Sequence, residues 1–364
     1  MLLKELSIKN KGFYGIGASA CSYNSSFPQY IRITDIDDFG RYRPSEIVCI
    51  NPVVYPEFKK YFLHENDIVF ARTGNSTGRN YFYNKKDGDL VYAGFLIKFT
   101  INEKLVNPRY IKYYCQSQKY MSWISSSCTG STRNNINAQL FSNLDIFINS
   151  PAEQCHIVNI IGSIDEKIEN LEKIIDKYEL LSSNLSKSYN AKNYALTDVQ
   201  LDKYLSFIKG KKPTASKESL MNYLSIDGIL KNNFEKFSSN NMIIAEKDDI
   251  LMVMDGASSG TVFLGYCGIV SSTMAKIFIS EKKLKLLIFQ MLKQEQTKIK
   301  ELNTGSAIPH ANKKFINTLT IKISPDIKQF NYKLGIIQNK IVKLRNQIIQ
   351  LQELKQLYLK KFFG

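Results

Sequence analysis

The tightest constraint on this chain is an apolar seam that advances in alternating steps of four and three residues behind a proline at position 151. Ser150-Pro151-Ala152-Glu153 places a capping serine, a proline at the first helical position and a glutamate three residues after the serine. That is the signature of a capping box. Ile157, Ile161, Ile164, Ile168, Leu171, Ile175, Tyr178, Ser182 and Leu185 follow it as a seam. Apolar residues repeating every 3.5 positions over about four heptads predict a coiled-coil helix across 151–192. At 1.5 Å per residue it runs roughly 55 Å, too long to be contained in a small domain. Residues 325–364 repeat the design. Ser324-Pro325 starts a helix, and Leu334, Ile337, Ile341, Leu344, Ile348 and Leu351 continue it; Lys355 interrupts the seam and Tyr358 resumes it. The first helix has a net formal charge of −3 over 151–190 and the second +6 over 326–364. Matched seams of opposite charge favour mutual pairing, against the alternative that each helix packs separately on its own domain.

What precedes each helix is also duplicated. Tyr30–Thr34 and Asp67–Ala71 read as strands, Tyr81–Phe99 as a hairpin-like stretch, 107–126 as a helix and Leu144–Ile148 as a last strand. In the second half Asn222–Ile226 matches the first strand, Asp249–Val253 the second, 283–300 the helix and Leu319–Ile321 the last strand. The loop after the second strand keeps two glycines at one spacing, Gly74 and Gly78 against Gly256 and Gly260. Thr129-Gly130-Ser131 matches Thr304-Gly305-Ser306. The repeat predicts an α+β protein of two similar α/β heads, 1–150 and 193–324. Two long antiparallel coiled-coil helices, 151–192 and 325–364, separate them, with an internal pseudo-two-fold.

At 364 residues and 44% hydrophobic, the chain is large enough for two cores. Its net charge of +16 points to a polyanionic partner, most simply nucleic acid. No apolar run reaches membrane-spanning length and the N-terminus lacks a leader's apolar core, so a cytoplasmic protein without membrane contact is expected. The six cysteines show no paired spacing and read as reduced thiols; the three histidines have no zinc spacing, so no metal site is expected. There is no adenine-methylation motif, no convincing nucleotide loop and no nuclease-like acid pair, so the chain is expected to be non-catalytic by itself.

The polar loops are the candidate DNA contacts. Glycines let backbone N–H groups approach phosphates while neighbouring side chains reach base edges, although tight turns between strands account equally for the glycines alone. The first head offers Arg72, Thr73, Asn75, Ser76, Thr77 and Arg79, then Thr129, Ser131, Thr132, Arg133, Asn134 and Asn135. The second offers Lys211, Lys212, Ser258 and Ser259, then Thr304, Ser306, His310, Asn312, Lys313 and Lys314. Seven of eight arginines precede residue 150, so the heads share an architecture and differ in chemistry. Arg suits guanine and Asn suits adenine, while Lys and Ser/Thr serve phosphates.

In this order the motifs resemble the specificity (S) subunits of type I restriction–modification systems. The resemblance runs through Tyr30–Ile36, Asp67-Ile68-Val69 with Arg72-Thr73-Gly74, Gly130-Ser131-Thr132, Pro151-Ala152-Glu153-Gln154, Ala195–Val199 and Lys209–Pro213. It implies that each head is a target recognition domain reading one half of a bipartite, asymmetric DNA target. It implies that the coiled coil sets the spacer and that two methyltransferase (M) subunits dock on it. Restriction (R) motor–nuclease subunits would join, with S-adenosylmethionine, ATP and Mg held in the partners and no cofactor in this chain. Met254 and Asp255 stand where the first head has Arg72 and Thr73, so Arg72's role does not transfer. Alternatives are an S-like subunit of a type IIB/IIG system and a standalone two-headed DNA-binding regulator.

Overall fold

The computed structural model describes residues 1–128, 134–191, 197–213, 219–231, 234–305, 308–323 and 327–364. The chain forms two units, Met1–Lys167 with Leu351–Gly364, and Ile168–Gln350.

In the first unit an antiparallel sheet runs in the order Phe13–Tyr14, Leu96–Thr100, Asp67–Ala71, Asn80–Phe82. Its central strand, Asp67–Ala71, is buried at every position because it is covered on both faces. Ile68 and Phe70 join the core under the helices, where Phe70 stacks on Phe141 at 4.9 Å between ring centres. Val69 and Ala71 face the opposite way, toward Ile31 and Tyr92 of a second sheet. That alternation is the two-residue period of a strand. The second sheet is ordered Cys21–Ser22, Val48–Cys49, Gln29–Ile31, Leu90–Tyr92, with its last two strands parallel. Asp67 is buried and satisfied by Lys98 Nζ at 3.0 Å, the Thr100 hydroxyl at 2.5 Å and the His64 amide at 2.9 Å.

The second unit repeats this plan. Its sheet runs Leu205–Lys209, Met274–Ile279, Ile250–Val253, Val262–Leu264. A second sheet pairs Leu220–Leu224 in parallel with Gly268–Val270. Asp249 takes Asp67's place, bonded to Lys276 at 2.5 Å and to the Glu246 amide at 2.9 Å. All six cysteines are free thiols.

The first long helix is Pro151–Ala191. Its capping box forms: the Glu153 amide donates to Ser150 Oγ at 3.4 Å and the Ser150 amide to Glu153 Oε2 at 3.0 Å. The second is Ile327–Phe363; its expected start at Ser324-Pro325 lies outside the described residues. Within each unit the two helices pack antiparallel. In the first, His156 meets Phe362 and Asp165 meets Lys355; in the second, Glu179 meets Arg345 and Tyr189 meets Phe330. The expected seam is the packed face. Ile157, Ile161, Ile164, Ile168, Ile175, Leu334, Ile337, Ile341, Leu344 and Ile348 are buried, with Leu171 and Leu351 half-buried. Lys355 continues it as a buried ion pair.

Several expected elements differ. The helix expected at 107–126 is two, Pro108–Tyr114 and Gln118–Ser127. The chain breaks where Ser117 caps the second by accepting from the Tyr120 amide. The helix at 283–300 divides likewise into Lys285–Gln294 and Gln296–Glu301. Tyr81–Phe99 is no hairpin. A turn capped by Asn84 at Lys85–Asp87 redirects the chain, so Asn80–Phe82 pairs with Ile68–Phe70 and Leu90–Tyr92 with Gln29–Ile31. Leu144–Ile148 is extended with a single bridge, Asp145 to Leu2, rather than a strand. The strand expected at Tyr30–Thr34 is Gln29–Ile31, and that expected at Asn222–Ile226 is Leu220–Leu224.

Candidate DNA interface

In the first head the glycine loop is strapped to the second polar loop by main-chain bonds. The Gly74 amide donates to Asn134 O at 3.2 Å and the Ile136 amide to Arg72 O at 2.9 Å, around a bridge between Thr73 and Asn135. The second head carries the same strap. The Gly256 amide donates to Pro309 O at 2.9 Å and the Ala311 amide to Met254 O at 2.9 Å, around a bridge between Asp255 and His310. The second glycine of each loop seats the strap on a helix. A Cβ on Gly78 would lie 2.8 Å from Ile124, and one on Gly260 2.8 Å from Ile299. Both glycines have positive φ, +87° and +91°. A side chain there is excluded by space as well as by backbone conformation.

The straps gather most of the expected residues and turn some away. Asn75, Asn134 and Asn135 are exposed, and Arg72, Thr73 and Thr77 are half-buried at the loop rim. Ser76 is buried, its hydroxyl accepting from Arg79 Nη1 at 3.4 Å, so it braces the loop from inside. Arg79 itself closes on Asp38 at 2.7 Å and Ile36 O at 3.2 Å. In the second head Ser258 is half-buried, while Ser259 is fully buried and accepts from Asn303 Nδ2 at 2.7 Å. Thr304, His310, Lys313 and Lys314 are exposed. Lys313 Nζ lies 5.4 Å over the Phe207 ring. Asn312 caps the helix Lys313–Thr318 by accepting from the Phe315 amide at 3.0 Å. Lys211 Nζ reaches Asn241 O at 3.5 Å, and Lys212 is exposed. Thr129, Ser131, Thr132, Arg133 and Ser306 lie outside the described residues.

Two further groups stand at these rims. Tyr14 lies under the Arg72 guanidinium, 5.1 Å from ring centre to Cζ. In the second head Lys209 Nζ is 2.7 Å from Asp255 Oδ2, whose other oxygen is 2.8 Å from His310 Nδ1. Burial raises the Asp255 carboxyl, but bonds from Lys209 and His310 outweigh it and hold the group below its ordinary value. The carboxylate at the base of the loop is therefore paired, while Lys313 and Lys314 stand exposed. The sequence signal for Tyr14 and Lys209 is the glycine after each. A Cβ on Gly15 would sit 2.2 Å from Ala93 O and one on Gly210 2.2 Å from Ser271 O, so both segments press against the neighbouring turn.

Among the described residues no group of three or more acids, histidines or cysteines is placed to hold a metal ion. None of their helices is long and apolar enough to cross a membrane.

The duplicated sheets, strapped loops and capped helices define an architecture that known proteins share. Residues 2–180, just under half of the chain, match the type I restriction modification DNA specificity domain. It is 33% identical over 177 residues to the type I restriction enzyme MjaVIII specificity subunit of Methanocaldococcus jannaschii. That alignment spans 45% of this chain and 41% of the relative, less than half the relative's length. The fold is similar to that of the type I restriction–modification system S subunit from M. genitalium. That match has a TM-score of 0.55 and 17% identity, and covers 100% of this chain and 95% of that one.

Proposed function

We propose that this chain is the DNA specificity subunit of a type I restriction–modification complex. Each head reads one half of a bipartite, asymmetric duplex target, and the paired helices set the unspecified gap. Two methyltransferase subunits dock on the helices and adjoining head surfaces, and motor–nuclease subunits join that core in the cytoplasm. The chain contributes recognition; S-adenosylmethionine, ATP and Mg belong to the partners.

The observation that supports this reading best is the strap, built twice from the same main-chain bonds and carrying different side chains each time. A common frame with unlike rims suits two readers of unlike half-sites. Lysines fix register on phosphates and rim side chains meet base edges, whereas the amides of Gly74, Gly78, Gly256 and Gly260, expected to approach phosphates, are taken up by main-chain carbonyls. The net charge of +16 supplies the long-range attraction.

The test is modified-base sequencing of a methylation-free host expressing this chain with its methyltransferase, against the methyltransferase alone. N6-methyladenine at a split motif, dependent on this chain, is the expected result. Two soluble proteins with no new methylation would refute the reading. Tight binding to a split site without any partner would favour a standalone regulator.

A further inference from the structure

Resting on the reading of the heads as DNA readers, we infer that Arg72 is the guanine-reading fork of the first head. It is set in place by the ring of Tyr14, and the second head has no counterpart.

The arginines of this protein are mostly committed to carboxylates. Arg32 pairs with Asp35 at 2.9 Å, Arg41 with Asp37 at 2.8 Å, Arg79 with Asp38 at 2.7 Å and Arg345 with Glu179 at 3.1 Å. Arg72 pairs with no carboxylate among the described residues. Its main chain is fixed on both sides, its amide donating to Phe95 O at 3.1 Å and its carbonyl accepting from Ile136. Its Nε is buried without a hydrogen-bond partner. The two Nη groups are not buried and make no hydrogen bond to a described residue. They are the donors left for an acceptor from outside.

The ring beneath the guanidinium is itself held. Tyr14 pairs in the sheet with Ile97, and its hydroxyl accepts from the Ala138 amide at 3.1 Å. The Gly15 amide donates to Leu96 O at 3.1 Å, in the close approach that only glycine allows. A guanidinium stacked on a fixed ring loses little freedom on forming two parallel hydrogen bonds. In the major groove that geometry matches guanine, whose O6 and N7 are adjacent acceptors. A phosphate would accept the same fork but would confer no base preference.

The second head fills the equivalent places differently. Met254 has Arg72's main-chain partners, donating to Thr273 O at 2.8 Å and accepting from Ala311, and its side chain is buried. Lys209 stands where Tyr14 does and is bound to Asp255. No fork is presented there.

The test uses the full chain in complex with its methyltransferase. Duplexes carry the split motif with each guanine replaced, one at a time, by 7-deazaguanine, which removes N7. Wild type should lose roughly 5- to 150-fold in affinity at one guanine of one half-site. Arg72→Met should be indifferent to that replacement and should accept other bases there, with the other half-site read as before. Tyr14→Leu should lose most of the preference and Tyr14→Phe should keep it, a split that a merely structural tyrosine would not produce. An unchanged guanine preference in Arg72→Met overturns the inference, as does a uniform loss across all bases, which marks a phosphate contact. A wild-type complex with no split motif at all fails the parent reading instead.

Discussion

The buried ion pair in the helix seam gives the sharpest test of how the helices are held. Lys355 is 6% exposed, and its Nζ lies 2.6 Å from Asp165 Oδ1 and 5.6 Å over the Tyr113 ring. Lys112 Nζ approaches the other Asp165 oxygen at 3.4 Å. Burial alone would raise the Asp165 carboxyl, yet the two ammoniums together hold it below its ordinary value. Lys355→Met removes the nearer ammonium and leaves a half-buried carboxylate, 19% exposed, with only the weaker partner. Breaking a buried pair on one side costs about 3–5 kcal/mol, and the remaining Lys112 puts the expected loss at the lower end, about 3 kcal/mol. In a unit of this size that lowers Tm by about 6–12 °C. Lys355→Met with Asp165→Leu removes both charges and should recover most of the loss, since apolar pairs replace buried ion pairs at little cost. Circular dichroism melts of the full chain and both variants read this directly. The pH dependence has a definite sign. Asp165's folded value lies below its unfolded value of about 4. Its stabilisation is therefore complete above that pH and lost as pH falls through the lower folded value. The single variant should show a smaller drop in stability over that acid range. A double variant as unstable as the single, or a single variant without loss, would refute the argument.

The other predictions concern the straps, the rims and the helices. Gly78→Ala combines positive φ with a 2.8 Å clash against Ile124. It should cost clearly more than Gly74→Ala, where nothing lies within 4 Å and only the positive-φ strain of about 1 kcal/mol applies; equal losses in urea titrations would contradict that. Asp255→Asn removes the charge shared by Lys209 and His310 and one of the two acceptor oxygens, so recognition at the second head's half-site should change alone, as methylation mapping would reveal. Lys314→Ala should reduce the salt slope of log K by about one if that side chain sits on a phosphate, and leave base preference intact. Inserting seven residues in each long helix adds roughly 10 Å, about three base pairs, to the unspecified spacer; an unchanged spacer length in the methylated motif would sink the ruler.

The helix pair was legible because a 3.5-residue apolar period depends on nothing beyond the helix itself. Ile157 to Ile175 and Leu334 to Ile348 could be read off one after another. Lys355 read as an interruption because Asp165, which makes it fit, is 190 residues away and is not a seam residue. The duplicated loops were legible through their glycine spacing. Which loop side chains face outward was not. Ser76 and Ser259 are as polar as Thr73 and Ser258, yet they point inward to brace Arg79 and Asn303. The same limit hid Tyr14, whose relation to Arg72 is made by a sheet joining segments 58 positions apart in number. The single helix expected at 107–126 broke at Ser117 because a buried serine cap competes locally with helix continuation, a signal present in the sequence but outweighed by the apolar pattern.

The straps also explain how one frame can carry two chemistries. Their closing bonds run from amide to carbonyl, Gly74 to Asn134 and Ile136 to Arg72, then Gly256 to Pro309 and Ala311 to Met254. None of these bonds uses a side chain. The residues between them, Thr73 and Asn135 in one head and Asp255 and His310 in the other, are free to differ without disturbing the loop's closure. What must stay fixed lies behind the loop: the glycine that lets the helix approach and the buried serine that fills the turn. Substitution at the rim should therefore alter which bases are preferred with little loss of stability, while substitution at Gly78 or Gly260 should unfold the loop and abolish preference altogether.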